Sequence, residues 1–143
     1  MIDRKKGLFS PGITLAIIAF CIAGCGTGDG VQRGAVDGSV TFGGAPLADG
    51  LIRFVPSGST TGAMVEAKIV AGTFALSEAV GPCVGTQRVE IYSFQKTGKV
   101  LKNEGMESEE ILQVIPKQYN SESSLTADIA AGANTLSTFT LDK

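Results

Sequence analysis

Three cysteines, a run of glutamates at Glu104, Glu107, Glu109 and Glu110, and two tyrosines are the side chains best equipped for chemistry, and no histidine accompanies them. Without histidine the usual general base near neutral pH and the commonest zinc ligand are both missing. Composition leaves a Ser/Lys dyad open, but the Ser-x-x-Lys spacing occurs in no setting that favours one, so no catalytic residue and no enzymatic activity are expected. The glutamates could give oxygen ligands to calcium, which takes six to eight of them, yet the run lacks the alternating Asp/Asn and Gly pattern of a calcium loop. It reads as a solvated acidic face, and neither metal nor cofactor is expected. Tyr92 and Phe94 could form an aromatic platform for a sugar. With no Trp and only two Tyr in the chain such a platform is thin, and packing is the simpler reading. Tyr119, in Pro116-x-x-Tyr119-Asn120, is expected to bury its ring and hydrogen-bond its hydroxyl. Tyr119, Asn120, Glu107 and Glu110 are the candidate binding residues if that region contacts a partner.

The cysteines divide by position. Arg4, Lys5 and Lys6 precede an apolar run from Ile13 to Ala23, about a dozen residues counted to Gly24. That is short of the roughly 20 that span a bilayer and suits the core of a helical signal peptide. Ile22-Ala23-Gly24-Cys25 closely resembles the bacterial lipobox. The resemblance implies cleavage between Gly24 and Cys25, a diacylglyceryl thioether on the Cys25 thiol and, usually, acylation of the new amino group. Phe20 makes Cys21 a poor rival. Two or three acyl chains hold a protein at a membrane without help from basic residues. Gly26 rather than Asp after the cysteine favours the outer membrane over the inner one. Cys83 is then the one cysteine left in the mature domain, so no intrachain disulfide is available to it.

Charge agrees with a lipid rather than an electrostatic anchor. Removing Asp3, Arg4, Lys5 and Lys6 from 12 basic and 14 acidic side chains leaves 9 and 13, a net charge of −4. Such a surface opposes binding to nucleic acid or to anionic headgroups.

The elements that must position these residues follow from periodicity. A chain of 143 residues holds one ordinary core. Residues 1–24 are the signal peptide. Residues 25–34, small and polar, are a tether with a reach on the order of 16 Å. The domain spans 35–143. Period-two alternation predicts strands at Val36–Phe42, Leu51–Val55, Val65–Ile69, Thr73–Ser77, Arg88–Phe94 and Leu125–Ile129, with Val40, Ile52, Phe54, Ile69, Phe74, Val89 and Ile91 inward. Ala71-Gly72 predicts a hairpin. Residues 95–120 are charged and irregular and read as a long excursion with a short helical turn at Glu107–Val114. Gly132–Asn134 reads as a turn and Thr135–Leu141 as a closing strand, its phase broken between Leu136 and Phe139 by a bulge. About seven short strands without crossover helices predict an all-β, antiparallel two-sheet sandwich.

Val36-x-Gly38-x-Val40-Thr41-Phe42, Gly44-x-Pro46-Leu47, Gly50-x-Ile52-x-Phe54-Val55-Pro56, Gly72-x-Phe74, Gly81-Pro82 with Gly85, Val89-x-Ile91, and Ile115-Pro116-x-x-Tyr119-Asn120 with Ser124-Leu125-Thr126 resemble, in order, the transthyretin-like, carboxypeptidase regulatory-like domains of small bacterial lipoproteins. The departures are Cys83 and the length of the Gln95–Met106 insertion. The resemblance implies an Ig-like or prealbumin-like sandwich outside the cytoplasm. It implies no reaction, since such sandwiches host many roles. Transthyretin-related purine-pathway hydrolases rely on histidines and a C-terminal Tyr-Arg-Gly-Ser; this chain ends Thr140-Leu141-Asp142-Lys143. The expected function is a non-catalytic, lipid-anchored interaction module of the cell envelope. Its partners are membrane lipid through Cys25 and an envelope protein or polysaccharide; the alternative is a carbohydrate- or small-ligand-binding module.

Overall fold

The computed structural model describes residues 30–143. The expected leader 1–24, the Gly24–Cys25 cleavage point, Cys25 itself and residues 26–29 of the expected tether lie outside the described residues.

The described chain is all-β, with two single-turn 3₁₀ segments and no α-helix among the described residues. Its strands are β1 (Gly34–Phe42), β2 (Ala45–Pro46), β3 (Asp49–Pro56), β4 (Val65–Val70), β5 (Thr73–Leu76), β6 (Gly85–Tyr92), β7 (Phe94–Asn103), β8 (Met106–Gln113), β9 (Thr126–Ile129), β10 (Gly132–Thr135) and β11 (Phe139–Leu141). Nine of them form one sheet in the order β10-β1-β5-β4-β3-β6-β9, with β2 and β11 also on β1, while β7 and β8 form a separate two-stranded sheet. The large sheet curls on itself. Phe54 of β3 and Phe139 of β11 both lie against Phe74 of β5, with ring centroids 6.1 and 6.3 Å away.

Alternation placed the core correctly. Val40, Ile52, Phe54, Ile69, Val89, Ile91 and Leu141 are fully buried. Each such side chain contributes roughly 1.5–3 kcal/mol of transfer free energy. Gly38 sits opposite Phe74 on β1, and a Cβ there would come within 2.7 Å of Phe74 Cζ. The missing side chain is what lets the ring cross the strand. Cys83 is buried and free. The Gln87 amide, itself fully buried, donates to the Cys83 carbonyl at 2.8 Å and to its Sγ at 3.2 Å.

Three expectations are corrected. The first concerns 95–120: most of that stretch is the β7–β8 hairpin, and the expected helical turn at Glu107–Val114 is strand. Glu104 and Gly105 both have positive φ, 45° and 85°, in a two-residue connection between the paired Asn103 and Met106. That turn geometry matches the twist of two antiparallel strands. The pairing register shifts between Lys96 and Val100, and neither face is covered, so period-two alternation is lost from the sequence. The second concerns 132–141: Gly132–Thr135 is a strand rather than a turn, and β10 and β11 are two pieces flanking a break, not one bulged strand. Both pair parallel with β1. Asn134 clips the first piece, its Nδ2 donating to the Ala35, Ala130 and Gly132 carbonyls at 3.0, 2.9 and 3.1 Å. The third is the strand count, which exceeds seven because of this split, the two-residue β2 and the extra hairpin.

Candidate functional site

The outward face of β4, β3 and β6 carries charged and aromatic side chains in register. Arg53 of β3 lies opposite Glu66 of β4 and Glu90 of β6, and Leu51 lies opposite Lys68 and Tyr92. The Arg53 Nε donates to Glu66 Oε2 at 3.1 Å, and its guanidinium carbon sits 4.9 Å from the centre of the Tyr92 ring. Glu90 is nearly buried and takes hydrogen bonds from Arg88 at 2.7 Å and from the Tyr92 hydroxyl at 2.9 Å. A buried carboxylate is tolerated when both oxygens are so occupied. Burial, then the hydrogen bond and negative charge of Glu90, push the Tyr92 phenol above its ordinary pKa, with Arg53 opposing. The hydrogen bond to Glu66 leads the causes that raise Arg53.

At the end of this ladder the Tyr92 and Phe94 rings lie 6.2 Å apart and nearly parallel, at 8°. With Asp49, Gly50, Leu51 and Lys68 they line a shallow depression of about 320 Å³. Lys68 and Asp49 form an exposed ion pair on its rim at 3.3 Å. Beneath it, Ser93 fixes the chain where β6 passes into β7. Its hydroxyl donates to the Asp49 carbonyl and its N–H to Gln113 Oε1, both at 2.8 Å.

From that point the β7–β8 hairpin projects as an arm. Every residue of β7 is exposed. Among the described residues, six of the nine large apolar side chains left exposed belong to it, Phe94, Val100, Leu101, Met106, Ile111 and Leu112. The exposed large apolar side chains of the described residues are thus concentrated on this one element. The charges are sorted by strand. Lys96, Lys99 and Lys102 stand on β7 and Glu107, Glu109 and Glu110 on β8, paired as Lys96–Glu109 at 2.7 Å, Lys99–Glu110 at 3.5 Å and Lys102–Glu107 at 2.8 Å.

The four candidate binding residues fall in two groups. Glu107 and Glu110 are both on the arm, three residues apart on one strand and so on opposite faces. Tyr119 and Asn120 lie in the turn after the arm. Tyr119 packs its half-buried ring on the core and accepts a hydrogen bond from the Asp142 N–H. The buried Asn120 side chain donates to the Ile115 and Pro116 carbonyls, both at 3.1 Å, and accepts from the Ser121 N–H at 2.8 Å. Arg53, Glu90 and Lys68 were not singled out from sequence, because only the β3–β6 and β3–β4 registers bring them beside Tyr92. Among the described residues there is no group of three or more Cys, Asp or Glu side chains placed to hold a metal ion, and no helix long and apolar enough to cross a membrane.

No protein-family model and no curated protein matches this chain.

Proposed function

We propose that the chain is a non-catalytic lipoprotein of the cell envelope, anchored through lipid on Cys25, whose β domain presents the β7–β8 arm as an interaction element. The arm carries the reading. An isolated two-stranded ribbon is at best marginally stable in water, and one that keeps six large apolar side chains in solvent is explained by a partner that covers them. The lipobox-like Ile22-Ala23-Gly24-Cys25 supplies the anchor. The curled sheet, with Phe54, Phe74 and Phe139 meeting across its core, supports an Ig-like or prealbumin-like two-layer sandwich of the transthyretin-like kind.

The test is fractionation and cross-linking of the full chain in its native cells. The native protein sediments with membranes and cross-links to envelope material. Cys25→Ser moves it to the soluble fraction, and replacing residues 97–110 with Asn-Gly leaves it on membranes without the cross-links. A soluble native chain, or cross-links indifferent to the arm, refutes the reading.

The near-parallel Tyr92 and Phe94 rings beside the Asp49–Lys68 pair favour a second reading, a site for a sugar whose apolar face stacks on the rings while its hydroxyls meet the charged rim.

A further inference from the structure

We infer that the partner of the arm is the arm of a second copy of this chain, with the basic β7 strand of each lying over the acidic β8 strand of the other. This rests on the proposed role of the arm as the interaction element and names its occupant.

The sorting of charge decides the geometry. All three lysines of the arm are on β7, and the glutamates paired with them are all on β8. Cross-strand register places Phe94, Lys96, Val100, Lys102, Glu107, Glu109 and Ile111 on one face. Two such faces can be stacked about a twofold axis in two ways. An axis running along the strands sets β7 over β8 of the partner, with Lys102 over Glu107, Lys96 over Ile111 and Val100 over Glu109, so that each basic strand lies over an acidic one and Lys96 is one step from Glu109. An axis across the strands sets β7 over β7 and β8 over β8, which lays a basic strand on a basic strand and an acidic strand on an acidic one. Only the first is self-complementary, and being isologous it closes at a dimer instead of growing into a fibre. The exposed ion pairs within each arm are individually weak and can be shared with a partner at little cost.

Size sets the strength. A ribbon of about eight paired residues is roughly 27 Å long and 10 Å wide at the usual strand spacings, so two stacked faces bury on the order of 600 Å². Stable complexes bury about 1,200–2,000 Å². The contact is therefore weak between free chains and depends on confinement to one membrane surface, where a tether raises effective concentration.

The test uses full-length chains bearing two different affinity tags, co-expressed, cross-linked in their membranes with a carbodiimide that joins Lys to Glu, and purified through one tag. A charge-swapped chain carries K96E, K102E, E107K and E109K, which preserves each pair within the arm with its sign reversed. Wild type recovers wild type, and swapped recovers swapped, while the mixed pair is recovered at least tenfold less. No homotypic recovery overturns the inference, and so does mixed recovery equal to homotypic. Arm-dependent cross-links to other envelope material without homotypic recovery remove this inference and leave the proposed function standing. Loss of both removes both.

Discussion

The backbone N–H of Asp142 donates to the Tyr119 hydroxyl at 3.1 Å, fastening the last residues of the chain to the turn that follows the arm. Next to it, Asn120 spends its amide on the chain's own carbonyls. Tyr119→Phe is expected to cost about 0.5–1 kcal/mol, since the lost bond is partly solvated, whereas Asn120→Ala strips buried carbonyls of their donor and costs about 1–3 kcal/mol. Urea unfolding of both variants checks the order. If Asn120→Ala leaves stability unchanged, its place is at a ligand rather than in the fold.

The contact between Gly38 and the Phe74 ring gives a second expectation. Gly38→Ala forces a methyl against Phe74 and destabilises by about 1–3 kcal/mol, the usual range for overpacking, while Phe74→Ala costs about 3–5 kcal/mol. In the double variant the two costs are less than additive, because removing the ring removes the clash. Full additivity in denaturant unfolding would contradict the contact.

Tyr92 and Tyr119 are the two tyrosines of the sequence, so Tyr119→Phe leaves a single phenol to titrate. Absorbance near 295 nm is expected to show Tyr92 ionising above the ordinary value of 10.0, with Glu90→Gln bringing the midpoint down. The sign for stability follows. The folded state holds this proton more tightly than the unfolded state, so the contribution is complete below about pH 10 and is lost as pH rises through the folded pKa. A midpoint at or below 10.0 would remove the Tyr92–Glu90 bond from the ladder.

Gly105 turns the arm with φ of 85°, a left-handed conformation that costs an ordinary residue roughly 1–2 kcal/mol. Gly105→Ala is therefore expected to loosen β7 and β8 and speed their amide exchange. Protection of Ile52, Ile69 and Ile91 in the large sheet stays as it was. Loss of protection in both sheets would mean that the arm is part of the cooperative core.

What could be read from the sequence divides along burial. Val40, Ile52, Phe54, Ile69, Phe74, Val89 and Ile91 alternate with polar residues because one side of each strand is sealed, and the sequence pattern followed that seal. The arm has no sealed side. Val100 and Leu101 are neighbours pointing to opposite faces, both exposed, so charge and apolarity intermix along the chain and mimic an irregular excursion. The parallel pairing of β10 and β11 with β1 was hidden for a different reason. It depends on the return path of the chain after Ile129 and on the Asn134 clip, neither of which has a periodic signature. The Arg53–Tyr92–Glu90 ladder needed cross-strand register, which alternation within a single strand does not contain.

The most direct measurement is mass spectrometry of the native protein extracted from its own membranes. The expected N-terminal peptide begins at Cys25 and carries a diacylglyceryl thioether and an acylated amino group. An intact leader with an unmodified thiol at Cys25 would contradict the proposed lipid-anchored role at the cell envelope.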